Sequence, residues 1–305
     1  MTQEQLLKRL QKPTGMVDVI LDTDTFNEID DQYALAYLIK SSEKLNLKAI
    51  YAAPFFNDKA TSPKDGMEKS YQEILHVLDL MDEHRYDSVV YKGSETYLSD
   101  EQHPVISPAA KDLVARAMAQ PDDKPLYVVA IAAITNIASA LLLEPKIADK
   151  IVIVWLGGHS YEWHDSYEFN MFQDVAAARV VFDSKVPVVQ LPCMGVVSHF
   201  TITGPELEYW FRGKNKLCDY LVDVTTKEAK HYHGDDFWSR VIWDVTAVAW
   251  LLDGNFLLDR LEHAPIPQYD HHYSFDPTRH FIRYVYGVHR DNLMKDLYLK
   301  LTQDT

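Results

Sequence analysis

The chain has 305 residues, 47% of them hydrophobic, and a formal net charge of −15. No Pro/Gly/Ser-rich linker or low-complexity block divides it, so one domain spanning residues 1–305, with ample apolar material for a core, is expected. The acidic balance argues against a nucleic-acid polymer as partner, because a phosphate backbone needs Lys and Arg to displace its counterions. No apolar run is long enough to span a bilayer.

Residues 1–13 are polar, have the pattern of a short helix and lack the apolar centre of a signal peptide. The next stretch is the most informative one. Val19, Ile20 and Leu21 make a short β-type run, expected to be a buried parallel strand. It ends in Asp22-Thr23-Asp24, and after residues 25–29 comes Asp30-Asp31, followed by the helical apolar pattern of Tyr33, Ala34, Tyr37 and Leu38. Asp30 or Asp31 stands where a helix N-cap belongs. A strand's carboxyl end and a helix's amino end then face one crevice, the usual ligand position in an open α/β sheet. Any one of these aspartates could be a simple cap or turn former. Four of them within ten residues repel one another unless a cation holds them, and oxygen-only donors point to a hard ion, Ca²⁺ or Mg²⁺.

Short β-rich runs then alternate with helical patterns. Strands are expected at residues 17–21, 47–52, 88–91, 126–130, 151–155 and 186–190, and helices at 31–41, 65–84, 109–119, 136–143 and 174–183. That alternation predicts right-handed βαβ crossovers: an α/β, Rossmann-like open and mostly parallel sheet with helices on both faces. From Pro205 the pattern becomes mainly helical, strongest at 243–252, and residues 269–286 are expected to return one or two strands. Cys193 and Cys218 are the only cysteines and form no metal-ligand spacing, which fits a reducing cytoplasm.

Each expected strand end adds polar groups on the same side. Phe55-Phe56-Asn57-Asp58 follows the second strand, and the small-residue turn from Ile131 to Asn136 follows the fourth. Gly157-Gly158-His159-Ser160 follows the fifth and leads to Glu168-Phe169-Asn170, where Glu168 and Asn170 could point one way and Phe169 the other. Asp244 lies within the apolar run Val241-Ile242-Trp243-Asp244-Val245, where an unpaired carboxylate is costly; a helix cap is its simpler reading.

Together these residues reach a family resemblance. Asp22-Thr23-Asp24…Asp30-Asp31…Ala34 resembles the amino-terminal signature of the inosine-uridine-preferring nucleoside hydrolases. Residues 131–138, Gly157-Gly158 with Glu168-Phe169-Asn170, and the segment from Trp243 to Ala249 support it in the same order. The resemblance implies Ca²⁺-dependent hydrolysis of the N-glycosidic bond of ribonucleosides by homo-oligomers, dimers or tetramers. It implies that Asp24 is both a metal ligand and the general base, that Asp31, Asp244 and the carbonyl of Ile131 are further ligands, and that Asp22 supports them. Asp30, Asn57, Glu168 and Asn170 match residues that hold ribose hydroxyls, and Trp243 matches a base-stacking position of the purine-preferring branch.

This sequence departs from the pattern in places. The family usually has three residues between the second and third aspartates, often beginning Pro-Gly; here there are five, residues 25–29. The loop before Glu168 is shorter than usual, and the family's Asn for the ribose 5′-hydroxyl has no clear counterpart. Help for the departing base could come from stacking on Trp243 or Trp163, or from a proton on His159, His164, Tyr232 or His233. Residues 230–236 could form a lid. Two other readings share part of the pattern: a non-catalytic nucleoside- or ribose-binding protein on the same fold, and a haloacid-dehalogenase-type phosphatase, which also has Asp-x-Asp after its first strand.

Overall fold

The computed structural model describes residues 1–234 and 236–303. In chain order its strands are β1 (Val17–Thr23), β2 (Leu45–Ala52), β3 (Val90–Lys92), β4 (Leu126–Ala130), β5 (Ile151–Leu156), β6 (Val188–Leu191), β7 (Thr201–Thr203), β8 (Ser239–Val241), β9 (Leu257–His263), β10 (Ile266–Pro267), β11 (Tyr273–Ser274) and β12 (Phe281–Val288). The helices are α1 (Gln3–Arg9), α2 (Asp30–Ile39), α3 (Pro63–Leu80), α4 (Pro108–Ala119), α5 (Thr135–Leu143), α6 (Phe169–Gln173), α7 (Val175–Asp183), α8 (Gly204–Trp210), α9 (Lys216–His233), α10 (Val245–Trp250) and α11 (Arg290–Thr302).

Eight strands form one sheet in the order β3-β2-β1-β4-β5-β6-β12-β9, and β9 pairs antiparallel with β12 while the other pairings are parallel. The α/β fold expected from the sequence is therefore present. The order reverses direction between β1 and β4, so the loops leaving these two strands diverge and open a crevice at their carboxyl ends. Alternation along β1 feeds two cores. Val19 and Leu21 pack on the face covered by α2, α3 and α9 to α11, and Ile20 packs on the face covered by α4, α5 and α7.

Helix α2 is buried at every position. The Tyr33 hydroxyl meets Thr225 Oγ1 at 2.8 Å and donates to the Leu221 carbonyl at 3.3 Å, both on α9, and the Tyr37 hydroxyl donates to Asp296 on α11. Helices α3 and α4 start at Ser-Pro pairs, where Ser62 and Ser107 accept backbone N–H groups and proline fills the first turn.

Three differences from expectation matter most. The third strand begins at Val90, because residues 84–89 wind into a 3-10 turn. The apolar stretch at 243–252 yields only the six-residue α10; burial on all sides made it read as a long helix. Within the C-terminal third, β9 lies outside the strands expected there, while α9 and α11 are the long helices.

Candidate active site

The carboxylates gather at the switch point. Asp22 lies in the buried part of β1 and faces α5, where its Oδ1 accepts from Asn136 Nδ2 at 2.8 Å. Asn136 is held in turn, its Oδ1 accepting from the Ser94 N–H at 2.8 Å and the Ser94 hydroxyl at 2.9 Å. Burial pushes the Asp22 carboxyl up to about 7, with the Asn136 bond opposing. Asp24 follows, 1% exposed, and its Oδ2 is buried without a hydrogen-bond partner among the described residues. The next loop turns tightly, the Asn27 N–H donating to the Asp24 carbonyl at 2.7 Å. Ile131 comes directly after β4; its N–H donates to the Asp22 carbonyl at 2.9 Å, extending the β1–β4 ladder into the site.

Helix α2 starts at Asp30 behind Ile29, whose side chain makes no cap bond, so Asp30 and Asp31 occupy the first turn and are not caps. That turn favours negative charge through the helix dipole. The Thr23 hydroxyl donates to Asp31 Oδ1. Asp244 does take the N-cap position of α10, but its carboxylate makes no capping bond, and its N–H donates to Asp30 Oδ2 at 3.3 Å.

Asp30, Asp31 and Asp244 each present an oxygen within 4.8 Å of the others. Asp24 stands beside this triplet, close enough that Asp31 and Asp30 hinder its ionisation, whereas the family resemblance implies Asp24, Asp31 and Asp244 as ligands and Asp30 at the sugar. Burial, then the neighbouring carboxylates, push Asp24 and Asp244 well above the usual carboxylate range; the same holds for Asp30, and burial takes Asp31 to about 7. Among the described residues no Lys or Arg ion-pairs with any of the four. An orphaned buried oxygen, oxygen-only donors and uncompensated negative charge together fit a hard divalent cation.

These groups form one wall of a cavity of about 210 Å³. Glu168, Phe169 and Asn170 supply another wall, and Trp243 lies beside Asp244. Glu168 caps α6: one oxygen accepts from the Gly158 and Met171 N–H groups at 2.8 and 3.0 Å, the other from Asn170 at 2.9 Å. Burial still carries its carboxyl up to about 7. Asn170 Nδ2 donates to the Leu156 carbonyl at 3.0 Å. A helical turn, not an alternating strand, presents this segment, so Phe169 lines the cavity as well.

The model of the inosine-uridine preferring nucleoside hydrolase family matches residues 19–274. The chain belongs to that family. It is 28% identical over 261 residues to the pyrimidine-specific ribonucleoside hydrolase RihA of Salmonella typhimurium, covering 77% of this chain and 79% of the relative. Its fold is similar to that of the plant nucleoside hydrolase PpNRh1, with a TM-score of 0.75, 20% identity and coverage of 94% and 99% of the two chains. It is similar, too, to the purine-preferring ribonucleoside hydrolase from Gardnerella vaginalis, with a TM-score of 0.71, 22% identity and coverage of 93% and 98%. The protein is thus an enzyme of a metal-dependent family that hydrolyses ribonucleosides.

Other residues singled out in this nucleoside hydrolase fall differently. Asn57 is not in the cavity wall; its Nδ2 donates to Asn27 Oδ1 at 2.7 Å, and Asn27 is the side chain that reaches the cavity. Asp22 lies outside the cavity wall, bonded to Asn136. Trp243 lines the cavity and also packs against the core. Of the groups considered for the departing base, His159 lines the cavity, while Trp163, His164, Tyr232 and His233 lie outside its wall. In the segment 230–236, residues 230–233 end α9, and Asp235 lies outside the described residues.

The sequence did not reveal Asn27, Glu28, Leu156, Cys193 and Met194 as lining residues. Leu156 ends β5, and Cys193 and Met194 follow the end of β6, so the strand-end rule could have found them. Asn27 and Glu28 belong to the loop of residues 25–29, whose path has no sequence signature. Arg240 on β8 ties that loop down, reaching Glu28 at 3.4 Å and Glu228 on α9 at 2.9 Å, while Lys59 bridges Glu228 at 2.8 Å and the Asn27 carbonyl at 2.7 Å.

Proposed function

We propose that residues 1–305 work as one Ca²⁺-dependent ribonucleoside hydrolase that releases free base and ribose, with Asp24 as the general base. The observation that carries this reading is the unpartnered, buried Asp24 oxygen in a cavity walled by carboxylates. When bound by Asp24, Asp31, Asp244 and the Ile131 carbonyl, Ca²⁺ would supply a positive anchor for sugar hydroxyls and water.

Asp24 accepts the proton of the water that attacks the anomeric carbon. Asp30, Glu168 and Asn170 hold the ribose hydroxyls and fix the sugar against that water. As the glycosidic bond stretches, the sugar gains oxocarbenium character, and the surrounding carboxylates favour that positive charge. Asp22, clamped by Asn136, keeps the end of β1 in place. Trp243 offers an indole face to the base.

The test is release of free base from a panel of purine and pyrimidine ribonucleosides, run beside a phosphatase assay. The reading requires base release and no phosphate release. Binding without turnover would favour a nucleoside-binding protein, and phosphate release the phosphatase.

A further inference from the structure

The active-site cavity opens at the carboxyl ends of the strands. A second cavity, of about 860 Å³, lies at the opposite edge of the sheet, where the chain enters β5, β6 and β12 and the antiparallel β9 ends. Its walls come from the start of the chain and α1, the 3-10 turn Pro145–Asp149, the end of α7 with residues 184–185, His263 on β9, and residues 277–281 leading into β12. We propose that this second cavity is a binding site for a small phosphate monoester.

The protein carries a formal charge of −15, yet the uncommitted groups of this cavity are basic nitrogens on Lys185, His263, Arg279 and His280. Both lining carboxylates are engaged: Asp183 pairs with Arg279 Nη2 at 2.7 Å, and Asp149 with the Met1 amino group at 2.9 Å. Lys185 has no ion pair among the described residues. Arg279 Nη2 also donates to the Phe182 carbonyl at 2.7 Å, but Arg279 Nε is buried without a hydrogen-bond partner among the described residues, and so is His280 Nε2. Two such atoms in one wall are costly unless a ligand or water meets them. His263 Nδ1 meets the Arg279 carbonyl at 2.7 Å; a carbonyl only accepts, so this nitrogen carries the proton and Nε2 stays uncommitted. The His263 ring is held in plane by stacking on Phe281, with centroids 4.5 Å apart.

Electrostatics agree with that geometry. Around His280 the charges of Arg279 and Lys185 outweigh Asp183, and together with burial they push the imidazole down to about 4. An anion among these groups reverses the field: it pairs with Lys185, accepts a hydrogen bond from Arg279 Nε and lets His280 take up a proton. Lys185 and protonated His280 then supply two positive charges, which match a phosphate dianion, and the three donors match its three terminal oxygens. A carboxylate brings one charge and two oxygens and leaves a donor unmet. The cavity volume is that of pockets for whole organic ligands, about 300–1,000 Å³, so it has room for the esterified part as well as the phosphate.

The experiment titrates the full-length enzyme by calorimetry near pH 7, at matched ionic strength, with glycerol 3-phosphate, inorganic phosphate and acetate. Glycerol 3-phosphate is the main probe because it carries no ribose for the hydrolytic site. It should bind saturably and more tightly than inorganic phosphate, and acetate should not bind. Lys185→Ala and His280→Gln should each weaken it about tenfold or more, the scale of one nearby unit charge at intermediate dielectric. No saturable binding, acetate binding as tightly, inorganic phosphate binding more tightly than the ester, or affinity that neither substitution lowers would each overturn the proposal. If the variants do not fold, the His280 ring-proton signals of the unmodified enzyme decide: saturating glycerol 3-phosphate should raise their titration midpoint by about one pH unit or more, and an unchanged midpoint would overturn it. Either failure leaves the hydrolase reading untouched, because none of these residues lines the active-site cavity.

Discussion

Asp24 gains little from its surroundings as a structural residue: it is buried, repelled by Asp31 and Asp30, and has one oxygen without a partner. On the proposed reading, such a group persists because of what it does with a ligand. Asp24→Asn should fold normally and lose about 10²-fold or more in kcat, since the amide cannot accept a proton; near-normal turnover in a folded variant would remove Asp24 as the base. Trp243 divides between wall and core. If it stacks on the base, Trp243→Ala should reduce kcat/KM for purine nucleosides more than for pyrimidine nucleosides, because stacking contributes about 1–3 kcal/mol per base and scales with ring area. Equal losses, accompanied by a lower Tm, would make it a core residue only. At this scale the sequence was legible where chemistry is local. Asp22, Asp24, Asp30, Asp31 and Asp244 stood out as carboxylates in apolar surroundings, whereas Asn27 displaced Asn57 from the cavity through a loop whose length hides its course.

Elements decide how firmly that chemistry is held. Behind the site, Gly93 passes so close to β2 that a Cβ there would sit 2.1 Å from the Ala52 carbonyl and 2.5 Å from Asn136 Nδ2. Gly93→Ala should cost about 1–3 kcal/mol through overpacking. Because Asn136 is the clamp on Asp22, it should lower kcat too; a stability loss without a kcat change would mean that the Asp22 clamp is immaterial to turnover. In front of the site, Arg240 links the loop of residues 25–29 to α9 through two carboxylates. Arg240→Ala leaves Glu228 with Lys59 alone and should destabilise the enzyme by about 1–3 kcal/mol, visible as a lower denaturant midpoint. The βαβ alternation of the first two-thirds was readable because buried parallel strands such as β4 and β5 are continuous apolar runs. Strand β9 was not, because as the antiparallel edge strand it mixes Leu258 and Leu261 with Asp259, Arg260 and Glu262 and shows most of them to solvent.

Across the whole molecule, the carboxylate cluster and stability are coupled. A cation bound only by the folded chain stabilises it by mass action, about 2.7 kcal/mol at a hundred times Kd, so chelation should lower Tm and Ca²⁺ should restore it. Far from the cluster, His280 is pushed down to about 4 by burial and by Arg279 and Lys185. The unfolded chain takes up that proton near 6.5 while the folded one resists until about 4, so this contribution to stability is complete above pH 6.5 and is lost as pH falls towards 4. His280→Gln should flatten the dependence of Tm on pH within that window; an unchanged slope would show that His280 titrates alike in both states.

The central claim is that the gathered aspartates hold a cation with which Asp24 turns water on a ribonucleoside. Its most direct test is the initial rate of free-base release by the chelated enzyme before and after Ca²⁺ is returned. The account predicts negligible release without the ion, recovery on adding Ca²⁺, and no recovery in Asp24→Asn. Full-rate release from the chelated enzyme would contradict it.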